Sequence, residues 1–221
     1  MNAIVLEHVC KRFGDRVILN DVSAVMEQGK IYGIVGDNGC GKSVLLKCVC
    51  GILETDGGKI LVENVPVQPG KSGQPPIGMI IEHTGFLEGM SGWHNLKYLA
   101  GIRGMITDEQ IRESVDYVGL TDAIRKKVKK YSLGMRQKLA IAQAVMENPN
   151  VLIMDEPFNA LDRKSREKIG DLFRILRDHG KTIVLVSHHQ DEIQFLCDTV
   201  FEMSTGNLNP MEDLNVFTKK E

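Results

Sequence analysis

The most constraining feature of this chain is the eight-residue stretch 36–43, Gly-Asp-Asn-Gly-Cys-Gly-Lys-Ser. It fits G-x-x-x-x-G-K-[ST], the pattern of a phosphate-binding loop. The apolar run Ile31–Val35 leads into it, and apolar residues at helical spacing follow it. Strand, loop and helix in that order favour nucleotide binding over a glycine-rich turn that precedes a helix by chance. We therefore expect the nucleotide to be bound by Gly36, Asp37, Asn38, Gly39, Cys40, Gly41, Lys42, Ser43 and Val44.

Each residue type in this loop has a physical reason. Glycines at positions 36, 39 and 41 let the backbone turn so that its amides point at phosphate oxygens. The helix that begins at the loop adds a partial charge of about +0.5 and unpaired N–H groups. Lys42 supplies a mobile positive charge for the β- and γ-phosphates, and the Ser43 hydroxyl can ligate Mg²⁺.

Composition excludes several classes of protein. The 221 residues suffice for one large domain or a core with a subdomain. With 27 Lys and Arg against 29 Asp and Glu, the net charge of −2 gives no general electrostatic case for binding nucleic acid or an anionic membrane. We expect no membrane span and no signal peptide, because no apolar run reaches about 18 residues and the first residues lack a basic region. The odd number of cysteines, five, suits a reducing cytosol.

The pattern of elements predicts a β-rich core interrupted by helices. We expect a nucleotide-binding core formed by residues 1–83 and 149–221, with a helical subdomain over 84–148. In the first part we expect strands over 3–9, 17–24, 31–35, 59–62 and 77–81, with a turn at Asn20-Asp21 and a loop over 65–76.

Capping signals mark the helices of the middle part. Ser91 can cap a helix over 93–99, Thr107 begins a T-x-x-Q capping box, and Asn148-Pro149 stops a helix over 135–147. Strands are expected over 151–154, 182–186 and 199–203, with helices around 169–176 and 191–196. The tail after Gly206 is polar, and we expect it to be peripheral.

Two acidic residues stand where a second half of the site is needed. Asp155 and Glu156 follow the apolar residues 151–154, at the carboxyl end of a buried strand, which is where ligands bind in open parallel sheets. Asp155 is predicted to hold Mg²⁺ through water, and Glu156 to act as general base on the attacking water. Alone, a strand that ends in a polar turn is an equally good interpretation; the loop at 36–43 favours the catalytic one.

Four further motifs resemble those of the ATP-binding-cassette (ABC) ATPases. Residues 155–162, Asp-Glu-Pro-Phe-Asn-Ala-Leu-Asp, resemble the Walker B motif and D-loop. Residues 131–139 resemble the family signature LSGGQ, Ser187-His188 resembles the switch-histidine motif, and residues 11–14 resemble the segment that stacks on adenine. The motifs occur in the family's order over nearly the whole chain. The resemblance implies an α/β fold: a P-loop NTPase core with a mainly parallel sheet, an antiparallel β subdomain and an inserted helical subdomain.

The resemblance also implies roles for individual residues. Ser132 and Gly134 would close over the γ-phosphate bound by another subunit, with their helix N-terminus aimed at it. His188 would hydrogen-bond the γ-phosphate, and Phe13 would stack on adenine. Glu82 stands where the family usually has Gln, a position that senses the γ-phosphate and Mg²⁺; a carboxylate can ligate the metal but cannot donate a hydrogen bond when ionised. Leu133 and Met135 replace the usual Gly and Gln of the signature.

The function implied is that of the ATPase subunit of an ABC transporter. ATP and Mg²⁺ would be bound between two such subunits, in a homo- or heterodimer, and hydrolysis would drive a separate transmembrane permease. The subunit would then be cytoplasmic, peripheral on the inner face of the cell membrane. Glu82 and the sequence Ser-Leu-Gly-Met resemble the exporters of peptide antibiotics such as bacitracin and lantibiotics. Candidate permease contacts, which equally suit internal packing, are Phe86, Leu87, Met90 and Trp93.

Two other interpretations stay open at this point. A soluble ABC-type ATPase could have a regulatory, ribosomal or DNA role, although the chain holds one cassette without heptad repeats and no nucleic acid is expected from its charge. A cassette that binds ATP without hydrolysing it would fit the altered signature. The presence of Lys42, Asp155, Glu156 and His188 argues against that second alternative.

Overall fold

A computed structural model describes residues 1–71, 73–82 and 85–211. The strands within those ranges are β1 (Asn2–Phe13), β2 (Arg16–Glu27), β3 (Ile31–Val35), β4 (Gly57–Val62), β5 (Val65–Pro66), β6 (Ile77–Ile80), β7 (Val151–Asp155), β8 (Thr182–Val186), β9 (Thr199–Ser204) and β10 (Asn207–Pro210). The helices are α1 (Lys42–Val49), α2 (Gly92–Arg103), α3 (Asp108–Tyr117), α4 (Leu133–Val145), α5 (Arg163–Asp178) and α6 (Gln190–Leu196).

The strands form two sheets of different character. The first is antiparallel, with the order β2-β1-β4-β5. The second has the order β10-β9-β3-β8-β7-β6 and is parallel except for β10 at its edge. β8 is buried along its whole length, as expected for a central parallel strand covered on both faces. β3, β7 and β8 are neighbours, so the residues that follow their carboxyl ends are brought together.

Four of the described helices have a side-chain cap at their amino end. Ser91, Thr107, Ser132 and Asp162 each accept a backbone N–H of the first turn of α2, α3, α4 and α5, respectively. The capping box predicted at Thr107 is confirmed, because Gln110 also accepts the Thr107 N–H. The cap at Ser132 explains why α4 begins at Leu133 and not at Met135 as predicted: Ser132 Oγ accepts the Met135 N–H at 3.2 Å.

Apolar stripes join these helices to the sheets. Ile169, Leu172 and Phe173 line the buried face of α5, and the ring of Phe173 meets Phe158 edge-on at 5.6 Å. The same core cluster includes buried residues of α2, α3 and α4. It therefore joins helices between positions 92 and 145 to the parallel sheet. The division into a core and a helical subdomain at residues 83/84 and 148/149 stays a prediction.

Some expected boundaries are wrong. β2 runs unbroken through Asn20-Asp21, because Asp21 takes a positive φ of 56° and the ladder to β1 shifts register nearby instead of turning. Residues 65–66 pair with β4, so the predicted loop over 65–76 begins with a short strand. β10 pairs with β9 and buries Leu208, so this part of the tail belongs to the sheet and is not peripheral. Residues 212–221 lie outside the described part.

Within residues 1–71, 73–82 and 85–211, no helix combines the length and the apolar composition that crossing a bilayer requires.

Candidate active site

A cleft of about 480 Å³ lies at the carboxyl ends of the parallel strands. It brings together most of the residues predicted from the sequence to bind nucleotide or to act on it. They come from the loop after β3, from the ends of β7 and β8 and from the start of α4. The lining residues are Arg16, Ile18, Asn38, Gly39, Gly41, Lys42, Ser43, Val44, Glu82, Gln137, Asp155, Glu156, Asn159, Val186 and His188.

The loop before α1 packs closely against another segment of the same chain, around Met203. Gly36 has a φ of 145°, and a Cβ on it would lie 2.2 Å from the backbone oxygen of Met203. No other residue type fits that position without moving the backbone. Gly41 then forms the N-cap of α1, so the first amides of this helix open toward the cleft. Gly36, Asp37 and Cys40 do not line the cleft but shape the loop that does.

Lys42 is held across its own loop. Lys42 is only 7% exposed. Its Nζ donates to the backbone oxygens of Gly36 at 2.7 Å and Asp37 at 2.8 Å. The Sγ of Cys40 lies 3.8 Å from the same nitrogen. The ammonium group is therefore fixed next to the loop amides, which is the position from which a lysine meets phosphate oxygens.

Ser43 and Asp155 form a hydrogen-bonded pair of oxygen-bearing side chains. The Ser43 hydroxyl donates to Asp155 Oδ2 at 2.8 Å, although the two residues are 112 positions apart in sequence. Hard oxygen atoms from a hydroxyl and a carboxylate fit Mg²⁺, which keeps several waters and takes further oxygens from phosphates. Accordingly, the described residues hold no cluster of three or more His, Cys, Asp or Glu that could enclose a metal alone.

Glu156 stands on a sharply bent backbone directly after β7. Its φ is 51°. Its N–H donates to the backbone oxygen of Val186 at 2.9 Å, so β8 fixes the position of the Glu156 backbone. Gln137 Nε2 donates to the backbone oxygens of Glu156 at 3.2 Å and Pro157 at 3.0 Å. Sequence reasoning missed Gln137. Its place within the segment 131–139, which resembles the signature, was the available signal.

The Glu156 carboxylate is mostly buried beside a histidine. Its side chain is 19% exposed, and His188 Nε2 lies 3.1 Å from its Oε1. That oxygen has no hydrogen-bond partner among the described residues, so the contact is close without being a well-aligned hydrogen bond. Burial raises the pKa of Glu156, and the neighbouring His188 partly offsets the rise. A raised pKa makes a carboxylate a better proton acceptor.

Glu82 lies at the rim of the cleft. It has a positive φ of 57°, and its Oε1 accepts a hydrogen bond from Lys47 Nζ at 2.5 Å. The pair is partly exposed, so solvent screens it. Glu82 lines the same cleft as Ser43 and Asp155. Its role as a metal ligand stays a prediction.

Besides Gly36, Asp37 and Cys40, three further predicted residues do not line the cleft. Phe13 is 51% exposed and has Lys11 Nζ 5.6 Å from its ring centre. Ser132 and Gly134 lie at the start of α4 and do not line the cleft. Sequence reasoning in turn missed Arg16, Ile18 and Val186, whose cleft positions follow from long-range packing of β2 and β8 and carry no local motif. It also missed Asn159, which lies within the motif segment 155–162.

The four apolar candidates for a permease contact divide into two pairs. Phe86 and Trp93 are half-buried and pack against the main core cluster, so the internal-packing alternative is confirmed for them. Leu87 and Met90 are exposed, at 47% and 45%. Only the second pair is free for a contact of the kind proposed from the sequence.

Comparisons with known proteins agree with this geometry. Residues 19–159 match the family described as "ABC transporter". The uncharacterized ABC transporter ATP-binding protein YybJ of Bacillus subtilis is 36% identical over 97% of this chain and 97% of its own. The bacitracin transport ATP-binding protein BcrA of Enterococcus faecalis is 34% identical over 96% of this chain and 69% of its own.

A solved structure has the same fold. The ATP-binding cassette MJ0796, in a dimeric post-hydrolysis state bound to ADP and Pi, superposes with a TM-score of 0.85 at 24% identity, over 96% of this chain and 98% of that one. At this identity the likeness establishes the architecture alone. The predicted fold, a mainly parallel core sheet with an antiparallel sheet and inserted helices, is confirmed.

Proposed function

Because the chain belongs to the ABC transporter family, we propose that it is the ATP-binding and ATP-hydrolysing subunit of such a transporter. The observation that carries the proposal is the meeting of Lys42, Asp155, Glu156 and His188 in one cleft. A phosphate-binding loop faces a buried carboxylate with a raised pKa, and a histidine lies 3.1 Å from it. This arrangement combines phosphate binding with a positioned general base.

In this mechanism the chain mainly positions groups and stabilises charge. Lys42 and the loop amides bind the β- and γ-phosphates. Ser43 and Asp155 would hold Mg²⁺, which when bound supplies positive charge to the phosphate oxygens. Glu156 accepts a proton from the attacking water, which forms a bond to the γ-phosphorus. The bond from that phosphorus to the β–γ bridging oxygen breaks, and ADP and phosphate result.

His188 has a separate task in the same step. It is half-exposed in the cleft, and its Nε2 lies beside Glu156 Oε1. From there it can donate a hydrogen bond to the γ-phosphate while it limits how far the Glu156 carboxylate can turn. The histidine thus orients the base and the phosphate relative to each other.

A second copy, or a related subunit, completes the site. Ser132 and Gly134 lie outside the cleft of their own chain, at the amino end of a 13-residue helix. A helix N-terminus attracts phosphate, so these residues suit the γ-phosphate bound by another protomer. The MJ0796 cassette is dimeric after hydrolysis, which supports this arrangement. ATP would hold the two protomers together, and hydrolysis would release them.

A separate permease would transmit the motion to a substrate and keep this subunit at the inner face of the membrane. The exposed Leu87 and Met90 are the surface that we assign to that contact. The similarity to BcrA, together with Glu82 and the Ser-Leu-Gly-Met signature, favours export of a bacitracin-like peptide antibiotic. The ribosomal or DNA alternative has no comparable support, since the relatives are transport ATP-binding proteins.

The test is phosphate release by the purified full-length chain. Wild type should hydrolyse ATP, and Glu156→Gln should bind ATP, lose at least about 100-fold in turnover and accumulate as an ATP-bound dimer, because the general base is removed while the phosphate-binding loop stays intact. Glu167→Gln, an exposed change on α5, is the matched control. Unchanged turnover in Glu156→Gln would contradict the proposal.

A further inference from the structure

A line of polar contacts runs behind the cleft, from the residue before His188 to the loop 159–162. It passes through Ser187, Glu192 and Arg166 and ends on the backbone of Leu161. We propose that Glu192 and Arg166 are positioning residues that couple the two ATP sites of the dimer, by linking His188 to the signature residue Gly134 of the same protomer. This inference rests on the proposed function, because Gly134 acts there on the partner's nucleotide.

The first link fixes the backbone around His188. The buried Ser187 hydroxyl donates to Glu192 Oε2 at 2.6 Å and accepts the N–H of His189 at 3.0 Å. The residues before and after His188 are therefore tied to one hydroxyl, and this hydroxyl is tied to α6. A γ-phosphate that shifts the backbone of His188 would also shift this pair of hydrogen bonds.

The second link is a buried carboxylate with one charged partner. The Glu192 side chain is 11% exposed, and its Oε1 has no hydrogen-bond partner among the described residues. Arg166 Nη1 lies 3.6 Å from this oxygen. A buried carboxylate is costly unless it is paired, so the guanidinium compensates most of that cost at a distance slightly too long for a hydrogen bond. A small shift of either helix would complete or break the contact.

The third link reaches the loop 159–162. Arg166 Nε donates to the backbone oxygen of Leu161 at 3.1 Å, so one guanidinium contacts Glu192 and this loop together. Ala160, next to Leu161, has a positive φ of 61°. Asp162 accepts the Ser165 N–H at 2.8 Å and so fixes the end of the loop to α5. Both contacts hold the carboxyl end of the loop, next to Ala160, whose backbone conformation few residues adopt.

The last link joins the loop to the signature. A Cβ on Gly134 would lie 2.7 Å from the backbone oxygen of Ala160, so the start of α4 rests directly on this loop. The contacts are therefore continuous from His188 to Gly134 within one protomer. Their two ends serve different nucleotides, since His188 faces the protomer's own cleft and Gly134 the partner's. A shift at one end changes the surface presented at the other.

The alternative is that Glu192 and Arg166 only hold α5 and α6 together. The two explanations differ in what a charge-removing substitution changes. A purely structural pair would affect folding stability and leave cooperativity between the sites intact. A coupling pair would change cooperativity between the sites and leave nucleotide binding to a single protomer unchanged.

The experiment compares Glu192→Gln and Arg166→Gln with wild type in the full-length chain. Glutamine keeps the size of Glu192 and an oxygen that accepts from Ser187, and loses the charge that faces Arg166. We expect the Hill coefficient for ATP hydrolysis to fall from near 2 to near 1 and turnover to fall about tenfold, within the range of known coupling energies. The Kd of the single protomer for ATP, measured by fluorescence at low protein concentration, should stay within about twofold.

Matched controls and a double variant complete the test. Arg163→Gln and Glu167→Gln each break an exposed ion pair on the same α5, in which Arg163 Nε lies 3.0 Å from Glu167 Oε1, and should behave as wild type. The double variant Glu192→Gln/Arg166→Gln should be no worse than either single variant, because the pair acts as one unit. Arg166→Lys should not restore cooperativity, since an ammonium group cannot reach both partners as the guanidinium does.

The outcomes separate the inference from the function on which it rests. A wild type that releases no phosphate contradicts the proposed function. A wild type that hydrolyses ATP cooperatively, with Glu192→Gln and Arg166→Gln equally cooperative, overturns the inference alone. A lower melting temperature in both variants without a change in Hill coefficient also overturns the inference, because the pair then only stabilises the fold.

Discussion

His188 Nε2 lies 3.1 Å from Glu156 Oε1, and the two residues come from the ends of neighbouring parallel strands, β8 and β7. Both positions are set by the backbone: Glu156 N–H is bound to the Val186 oxygen, two residues before His188. The proposed base and the histidine proposed to bind the γ-phosphate are thus positioned by one strand pair.

The raised pKa of Glu156 predicts a shifted pH dependence of turnover. The carboxylate must be ionised to accept a proton, so turnover should fall as the pH drops through a pKa above the ordinary glutamate value of 4.5. His188 lowers this pKa, so in His188→Ala the acid limb of kcat should move to still higher pH, together with a large loss of rate. The measurement is kcat against pH at saturating ATP. An acid limb in His188→Ala at or below that of wild type would contradict the assignment.

Lys42→Ala should weaken ATP binding by about 10- to 100-fold. The substitution removes a charged donor, and hydrogen bonds to charged groups are worth about 1.5–3 kcal/mol. Titration with a fluorescent ATP analogue measures the change. Lys30→Ala, which removes an exposed lysine paired with Glu27, is the control and should bind as wild type. Wild-type affinity in Lys42→Ala would mean that this loop does not bind the phosphates.

Gly134→Ala should impair the dimer and leave the protomer's own nucleotide binding intact. The new methyl would lie 2.7 Å from the Ala160 oxygen, so the start of α4 must move away from the loop 159–162. We expect turnover to fall at least about tenfold, because a slight misplacement of groups around the reacting atoms lowers the rate by a factor of this size or more. Size-exclusion chromatography with ATP in the Glu156→Gln background measures dimerisation.

Gly101→Ala is the control for that change. Nothing lies within 4 Å of the added methyl, and alanine favours the interior of α2. It should leave turnover unchanged and raise the free energy of unfolding slightly. A dimer of normal stability in Gly134→Ala would exclude Gly134 from the interface.

Phe173→Ala should destabilise the fold by about 3–5 kcal/mol. Phe173 is fully buried and contacts Phe158 edge-on, so the change removes apolar surface and leaves a cavity between α5 and the Walker B region. Urea denaturation followed by circular dichroism measures the loss. Ile175→Ala, on the exposed face of the same helix, should cost less than about 1 kcal/mol. Equal losses in the two variants would mean that α5 packs differently.

Glu82→Gln tests the departure from the family pattern. Breaking its partly exposed ion pair with Lys47 should change the free energy of unfolding by less than about 1 kcal/mol. If Glu82 contributes to the metal site, the Mg²⁺ concentration for half-maximal turnover should rise several-fold, because an amide oxygen is a weaker ligand than a carboxylate. An unchanged Mg²⁺ requirement would remove Glu82 from the metal ligands.

The parts of the structure that sequence reasoning predicted well are local. The loop 36–43, the caps at Ser91 and Thr107 and the acidic pair at the end of β7 depend on residues within a few positions of one another. The missed features depend on contacts across the chain. Gln137 matters because it reaches backbone oxygens about 20 positions away, and β10 exists because β9 offers it an edge.

The sequence also did not predict which of the large apolar side chains are exposed. Leu87 and Trp93 are both large and apolar and lie within seven positions, yet one is exposed and the other packs on the core. Which side of a loop faces inward depends on how the following helix is docked, and no motif records that. The roles assigned to Ser132, Gly134 and Phe13 stay predictions, because each role needs a partner protomer or a bound nucleotide to complete it.

The two carbonyl acceptors of Lys42 have a consequence for the turnover cycle. An ammonium group has three donors, and two of them are already bonded to the loop, at 2.7 Å to the Gly36 oxygen and 2.8 Å to the Asp37 oxygen. An arriving phosphate can accept a hydrogen bond from the third donor while the loop keeps the lysine in place. The nucleotide therefore meets a lysine that is already positioned, which lowers the ordering cost of binding, and the same two contacts keep it there after ADP leaves.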